Sequence, residues 1–237
     1  MRGAKTFNQE TLLLFKNMLD LINYLDSTNE NESFIFGTNS FHHIFEQMVD
    51  SLFGESDKEK FYPKVFWKLD NSDKRFNFNG DSKRNSLRPD TIMITNRETE
   101  NQKIFVLDSK YYRYGETKNP NHLPDSSSVV KQIAYAQYIE NTEKNSIPNE
   151  VKSHIKSDKI YNAFIMPGKK DDDFKHIGYA TSDYVSEDEK NYHKIHGILL
   201  DIRELINHHA KSNEKILKLE TTISPHSHLN YNFTHEP

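Results

Sequence analysis

The sequence contains no cysteine, and this absence removes several kinds of chemistry at once. Disulfide bonds, a thiol nucleophile and a cysteine-ligated zinc site are all excluded. A long apolar run is missing too, because Lys16, Asp20 and Asn23 interrupt the segment 12–25, which is too short and too charged to span a bilayer. No Gly-x-x-x-x-Gly-Lys-Ser/Thr loop is present, so no nucleoside triphosphate site of that kind is expected. We expect a soluble, cytoplasmic protein that does not associate with membranes.

An excess of positive charge is also absent, because the formal net charge is −4. A DNA-binding protein needs a basic contact surface rather than a basic total, so this balance demands local basic clusters. The chain of 237 residues has 15 Phe and 12 Tyr, whose large side chains compensate for a hydrophobic content of only 35%. This length suits one α/β domain, alone or with an appendage.

Two apolar segments form the centre of the predicted fold. Residues 87–94 and 104–112 predict two strands, and the polar segment 95–103 predicts the hairpin turn between them. Further strands are predicted at 63–69, 159–167, 176–180 and 196–200. Helices are predicted at 7–25, 41–53, from about 126 to 141, and from Asp201 to about Ala210, whereas the chain from Lys211 onwards is polar and weakly patterned.

The end of the second central strand carries a carboxylate and an ammonium group. Side chains alternate along a strand, so Asp108 and Lys110 project from the same face. Pro89 fixes the backbone just before Asp90, and a hairpin with a modest offset brings Asp90 towards Asp108. Two carboxylates beside a lysine suit a hard divalent cation and a hydrolytic water. An ion pair with a purely structural role is the alternative.

Further motifs occur before and after these two central strands. Pro89-Asp90, seventeen residues and then Asp108-Ser109-Lys110 resemble the PD-(D/E)xK nuclease signature. Longer stretches extend the likeness over residues 34–206: Phe36-Gly37-Thr38, Phe41-His42-His43-Ile44-Phe45-Glu46, Leu52-Phe53-Gly54, Arg88-Pro89-Asp90, Asp108-Ser109-Lys110-Tyr111-Tyr112 and Lys131-Gln132. Together they resemble the LlaJI family of restriction endonucleases, which is related to the nuclease subunits of McrC-type systems.

The resemblance implies a fold and an activity. The fold is an α/β restriction-endonuclease-like core, a mixed central β-sheet flanked by helices, with an N-terminal helix appended. The expected domains are a helix and linker at 1–33, the nuclease domain at 34–210 and a polar tail at 211–237. The implied activity is that of a Mg²⁺-dependent deoxyribonuclease, with Mn²⁺ able to substitute, acting in a type II or modification-dependent restriction system on double-stranded DNA. A repair or junction-resolving nuclease, or an inactive DNA-binding or assembly module, is the alternative.

The same resemblance assigns roles to particular side chains. Asp90, Asp108 and the main-chain carbonyl of Ser109 would hold the cation, and Lys110 would act on the attacking water and the developing charge. Glu46, on the flank of the helix 41–53, is either a third acid at the metal or an ordinary exposed residue. Lys131 and Gln132 would face the active cleft in the family pattern, against the alternative of ordinary helix positions.

A basic and aromatic loop precedes the first central strand. Phe76 and Phe78 lie among basic residues that can grip phosphates and probe bases, or that are merely solvated in a hairpin. The predicted DNA contacts here are Lys74, Arg75, Lys83, Arg84 and Arg88. As partners we expect DNA, a second copy of the chain, since double-strand cutting needs two active sites, and an AAA+ GTPase suggested by the resemblance.

Overall fold

The computed structural model describes residues 41–70, 75–76, 87–141, 147–169, 173–186, 188–207 and 211–224. The predicted helix at 7–25 lies outside these residues, as does most of the basic loop. Among the described residues, no helix combines the length and apolarity that a bilayer crossing requires.

The chain alternates between strands and helices. The strands are β1 (Trp67–Lys68), β2 (Arg75–Phe76), β3 (Thr91–Thr95), β4 (Lys103–Ser109), β5 (Ile160–Gly168), β6 (Lys175–Ala180) and β7 (Ile195–Asp201). The α-helices are α1 (Phe41–Phe53), α2 (Tyr114–Thr117), α3 (Ser126–Glu140), α4 (Asn149–Lys152), α5 (Ile202–Asn207) and α6 (Asn213–Ile223). Short 3-10 helices lie at Lys58–Phe61, Pro120–His122, Ser157–Lys159 and Asn191–His193.

Five of the strands form one mixed sheet in the order β3-β4-β5-β7-β6. The pairs β3–β4 and β6–β7 are antiparallel, whereas β4–β5 and β5–β7 are parallel. Parallel neighbours need crossover connections, and α2, α3 and α4 lie between β4 and β5. The predicted α/β class and mixed sheet are confirmed.

Helices cover both faces of the sheet. Ile104 and Val106 of β4 pack in one buried cluster with Ile133 of α3. Phe105 and Leu107, which point the other way, belong to a second cluster with α1, α5 and α6. Every residue of β4 is buried, as expected for a central strand with a covered sheet on both sides.

The two long helices begin and pack as the sequence predicts. Phe45, Val49, Leu52 and Phe53 of α1 are buried at helical spacing against the sheet. In α3, the carboxylate of Asp125 accepts a hydrogen bond of 2.8 Å from the main-chain N–H of Ser128, which caps the helix.

The strand predicted at 63–69 is wrong over most of its length. Apart from an isolated bridge at Lys64, the paired part of this segment is β1, which pairs with β2 in a two-stranded sheet. Trp67 is 58% exposed and Leu69 is 50% exposed, so this apolar segment is not part of the core. The predicted strands of the central hairpin are also too long, since β3 begins at Thr91, after Pro89, and β4 ends at Ser109.

A second correction concerns the end of the chain. The helix opened by Asp201 spans Ile202–Asn207 in the described part of the chain, and it is followed by α6, for which the sequence analysis predicts no element. Leu219 and Ile223 of α6 are buried in the cluster beneath α1. Glu220 is buried as well, and its Oε1 lies 2.9 Å from Nζ of Lys103 in β4. A helix with few apolar positions is therefore tied to the core by one buried ion pair.

Candidate active site

The register of the central hairpin places two aspartates side by side. Thr91 pairs with Leu107, so the next residues outward, Asp90 and Asp108, face each other where the ladder ends. Oδ2 of Asp90 accepts a hydrogen bond of 2.8 Å from the main-chain N–H of Ser109. The short offset expected from the sequence is thus the one observed.

Lys110 completes this group of three side chains. Its Nζ forms an ion pair with Oδ2 of Asp108, and the two side chains are only 20% and 13% exposed. The main chain of Lys110 is held on both sides, by N–H donation to Ile165 of β5 at 2.8 Å and by acceptance from the N–H of Tyr112 at 2.7 Å. The amine is therefore positioned by the sheet itself.

The electrostatics of the group favour a positive charge at its centre. Burial, followed by the charge of Asp108, raises the pKa of Asp90 to about 7, although the hydrogen bond from Ser109 and the charge of Lys110 oppose this. Burial alone would lower the pKa of Lys110, but the adjacent Asp108 carboxylate raises it above its usual value. One amine does not neutralise two half-buried carboxylates, and Lys110 stays protonated.

This pKa shift predicts a stability effect that needs no substrate. In EDTA at about pH 8.5, Asp90→Asn should raise the melting temperature by about 2–8 °C, since asparagine keeps the acceptor for Ser109 and removes the repulsion with Asp108. The pKa of about 7 in the folded chain lies above the usual aspartate pKa of 3.8. Protonation of Asp90 therefore stabilises the folded chain, and this contribution is complete below the lower pKa, that of the unfolded chain. It is lost as the pH rises through the higher pKa, that of the folded chain. The gap between variant and wild type should therefore narrow as the pH falls below about 7 and close only near pH 4.

Differential scanning calorimetry across this pH range measures the effect. Asp183→Asn changes an exposed aspartate between β6 and β7 and serves as the matched control. A lower melting temperature for Asp90→Asn at both ends of the range would show that the two carboxylates do not repel each other.

A second lysine, which the sequence analysis missed, holds the main chain of Asp90 in place. Nζ of Lys58 lies 2.7 Å from the main-chain oxygen of Asp90 and 2.5 Å from Oδ2 of Asp50 in α1. The hydroxyl of Thr91 donates to the other oxygen of Asp50 at 3.1 Å. Helix α1 and the 3-10 helix Lys58–Phe61 thus hold the start of β3 in place.

The helix α3 contributes two buried polar side chains near the carboxylates. Gln132 is fully buried, and neither atom of its side-chain amide has a hydrogen-bond partner within the described part of the chain. Tyr135 lies one turn further on, and its hydroxyl donates to the main-chain oxygen of Arg88 at 3.3 Å. Burial and the charges of Asp108 and Asp90 raise the pKa of Tyr135 to about 12, which keeps the phenol protonated. Spacing of three residues from Gln132 was the available signal for Tyr135.

Glu46 lies on α1 with its side chain 40% exposed, and one of its oxygens is 3.7 Å from Nδ1 of His43. Its charge contributes to the raised pKa of Asp90, so it belongs to the same electrostatic neighbourhood. Within the described residues, however, no group of three or more His, Asp or Glu side chains could hold a metal ion. A direct role for Glu46 stays a prediction.

The predicted DNA contacts are only partly described. Arg88 is exposed, and its guanidinium lies 5.9 Å from the centre of the Tyr62 ring. Lys131 is exposed on the second turn of α3. The side chain of Arg75 is not described, and Lys74, Lys83 and Arg84 lie outside the described residues.

The comparison with protein families agrees with this geometry. The model of the LlaJI restriction endonuclease family matches residues 3–207, which is most of the chain. The chain belongs to the LlaJI restriction endonuclease family. The match includes Asp90, Asp108 and Lys110, and the mixed sheet is consistent with a restriction-endonuclease-like core. Neither the curated proteins nor the solved structures give a match. This LlaJI-family chain is accordingly a restriction-system nuclease.

Proposed function

We propose that this LlaJI-family nuclease is a metal-dependent endonuclease of the PD-(D/E)xK type that hydrolyses phosphodiester bonds in double-stranded DNA. The observation that carries the proposal is the convergence of Asp90, Asp108 and Lys110 at the end of one antiparallel pair. A structural ion pair would need only one carboxylate. The second one adds a buried negative charge that burial and repulsion make costly.

The residues present fit a hard divalent cation. Asp90 and Asp108 supply carboxylate oxygens, Ser109 supplies a main-chain carbonyl, and these are the donors that Mg²⁺ prefers, with Mn²⁺ as a substitute. Glu46 would hold a second ion or orient the first. A bound cation of this kind polarises a phosphoryl oxygen and lowers the pKa of a coordinated water.

Lys110 has a narrower role than the sequence alone suggests. Because the Asp108 carboxylate raises the pKa of its amine, Lys110 carries a positive charge and is a poor proton acceptor. In the proposed reaction it donates hydrogen bonds to the attacking water or to the phosphoryl oxygens and stabilises their developing negative charge. Asp108 keeps the amine in place, and Tyr135 supports the carboxylates from the α3 side as a protonated phenol.

Incubation of the full chain with plasmid DNA in Mg²⁺ or in EDTA tests the proposal. Unmodified, methylated and branched duplexes should be compared as substrates. Each should be tested with and without the product of a neighbouring gene, because the proposed partners include an AAA+ GTPase. The other proposed protein partner is a second copy of this chain. We expect strand cleavage that requires Mg²⁺. Binding to DNA that is indifferent to Mg²⁺, without cleavage of any substrate, would indicate a binding module instead, and cleavage restricted to branched DNA would indicate a junction-resolving enzyme.

The contact of Lys58 with the main chain of Asp90 gives a prediction about the rate of DNA cleavage. Lys58→Met should lower kcat by about 10- to 100-fold with little change in KM, because a displaced Asp90 is misaligned in the transition state. Lys58→Arg should recover most of the rate, since it restores the cation between Asp50 and the Asp90 carbonyl. Lys60→Met is the matched control, because Lys60 lies on the same 3-10 helix, is exposed and pairs with Asp57. A kcat equal to that of wild type in Lys58→Met would show that Lys58 does not position Asp90.

A further inference from the structure

A cleft of about 390 Å³ opens beside Lys110. Its walls come from the segment that follows β4 and from the loop before α3, and its lining residues are Tyr111, Tyr112, Arg113, Asn121, His122, Leu123 and Asp125. Hydrogen bonds from Ser128 and Ser127 lower the pKa of Asp125, and the charge of Lys110 contributes as well. The cleft and the candidate active site are therefore electrostatic neighbours.

The aromatic wall of the cleft is held rigidly. The ring of Tyr111 packs against Phe41 and Phe45 of α1, with centroid distances of 5.2 and 5.7 Å. Tyr112 follows directly, and its main-chain N–H donates to the carbonyl of Lys110, which fixes the backbone there. Both rings remain more than one-third exposed, at 41% and 36%. Two amphipathic rings presented to solvent next to a reactive site offer stacking surfaces.

A close backbone approach fixes the segment behind this wall. A Cβ on Gly115 would lie 1.9 Å from the main-chain oxygen of Pro167, so α2 packs directly on the end of β5. The helix ends at Thr117, and the next residue, Lys118, has a φ of 54° that turns the chain towards the opposite wall. The two walls are thus fixed relative to the strand that carries Asp108.

The polar groups of the cleft distinguish between parts of a nucleic acid. Asp125 is exposed and negatively charged, which disfavours a phosphate at this position. A carboxylate readily accepts hydrogen bonds from exocyclic amino groups of bases. Asn121 is exposed, and no hydrogen bond of its side-chain amide occurs in the described part of the chain. Aromatic faces together with an amide and a carboxylate match a nucleobase rather than the sugar–phosphate backbone.

We propose that this cleft binds one unpaired nucleobase of the DNA, stacked on Tyr112 and facing Asn121 and Asp125, next to the phosphate presented to Lys110. The inference rests on the proposed function, because it assumes a DNA strand at the carboxylates. It adds a preference for DNA in which a base is already unpaired, since extracting a base from an intact duplex costs a few kcal/mol.

Fluorescence anisotropy in EDTA tests the cleft without cleavage. The full chain is titrated onto two labelled duplexes of the same sequence, one fully paired and one with a single unpaired deoxycytidine, whose base carries an exocyclic amino group. Wild type should bind the second duplex at least about tenfold more tightly. Tyr112→Leu should lose this preference, and Tyr112→Phe should keep it, because the ring rather than the hydroxyl stacks. Tyr184→Leu, which alters another exposed tyrosine, should behave as wild type.

Equal binding of the two duplexes by wild type, or an undiminished preference in Tyr112→Leu, would overturn the inference. If Tyr112→Leu does not fold, photo-crosslinking of wild type to 5-iododeoxycytidine at the unpaired position provides the test. Crosslinks to Tyr111 or Tyr112 support the cleft, and crosslinks elsewhere refute it. Asp108→Asn should retain the preference in EDTA, so a failure of the nuclease proposal and a failure of the cleft give different results.

Discussion

Replacing Asp108 with asparagine is expected to lower the rate of DNA strand cleavage by at least about a thousandfold, because several kcal/mol of transition-state stabilisation depend on this carboxylate. The substitution removes a cation ligand and also releases Lys110 from its ion pair. Single-turnover cleavage of a plasmid in Mg²⁺ measures the loss. DNA binding in EDTA should change little, because the lost interactions act on the reacting phosphate.

Lys110→Met provides the companion measurement. It should also abolish cleavage, although it leaves both carboxylates in place. Asp183→Asn, a substitution at an exposed position, is the control for Asp108→Asn, because it too removes one negative charge. Wild-type cleavage rates in either Asp108→Asn or Lys110→Met would refute the assignment of the catalytic group.

The second large effect concerns stability. Glu220→Ala is expected to lower the free energy of unfolding by about 3–5 kcal/mol, because it leaves the buried ammonium of Lys103 without its charge partner. The side chains of Lys103 and Glu220 are only 7% and 6% exposed, and Nζ of Lys103 also donates to Oγ of Ser224 at 3.0 Å. Urea denaturation followed by circular dichroism measures the change.

Two variants separate the ion pair from the helix that carries it. Glu214→Ala, at an exposed position in the first turn of α6, should cost far less. The double variant Lys103→Met with Glu220→Leu should recover most of the stability, since a buried ion pair can be exchanged for apolar side chains at little cost. A loss of less than about 1 kcal/mol in Glu220→Ala would mean that this pair is effectively solvated.

The proposed catalytic group could be predicted from sequence because its geometry is local. Alternation along β4 fixes Asp108 and Lys110 on one face, and a hairpin with a short turn leaves few registers that bring Asp90 opposite them. The helical spacing of α1 and the capping residue of α3 carried similar local information. These elements were therefore placed correctly to within a few residues.

What the sequence did not reveal depends on contacts between distant segments. Nothing near Lys58 in the chain indicates that its amine reaches the carbonyl of Asp90, 32 residues away. Helix α6 was missed because its buried face contains a glutamate, whose partner Lys103 lies more than one hundred residues earlier. The apolar segment 63–69 led to the opposite error, the prediction of a strand that is mostly absent, because a hydrophobic pattern alone does not show whether another layer covers it.

The proposed activity requires Asp90 and Asp108 to hold a divalent cation together at the end of the sheet. Calorimetric titration of the full chain with Mn²⁺, without DNA, measures this binding. We expect binding to wild type, its loss in both Asp90→Asn and Asp108→Asn, and its retention in a control, His176→Ala, which alters a histidine on β6. Identical titration curves for wild type and the two aspartate variants would contradict it.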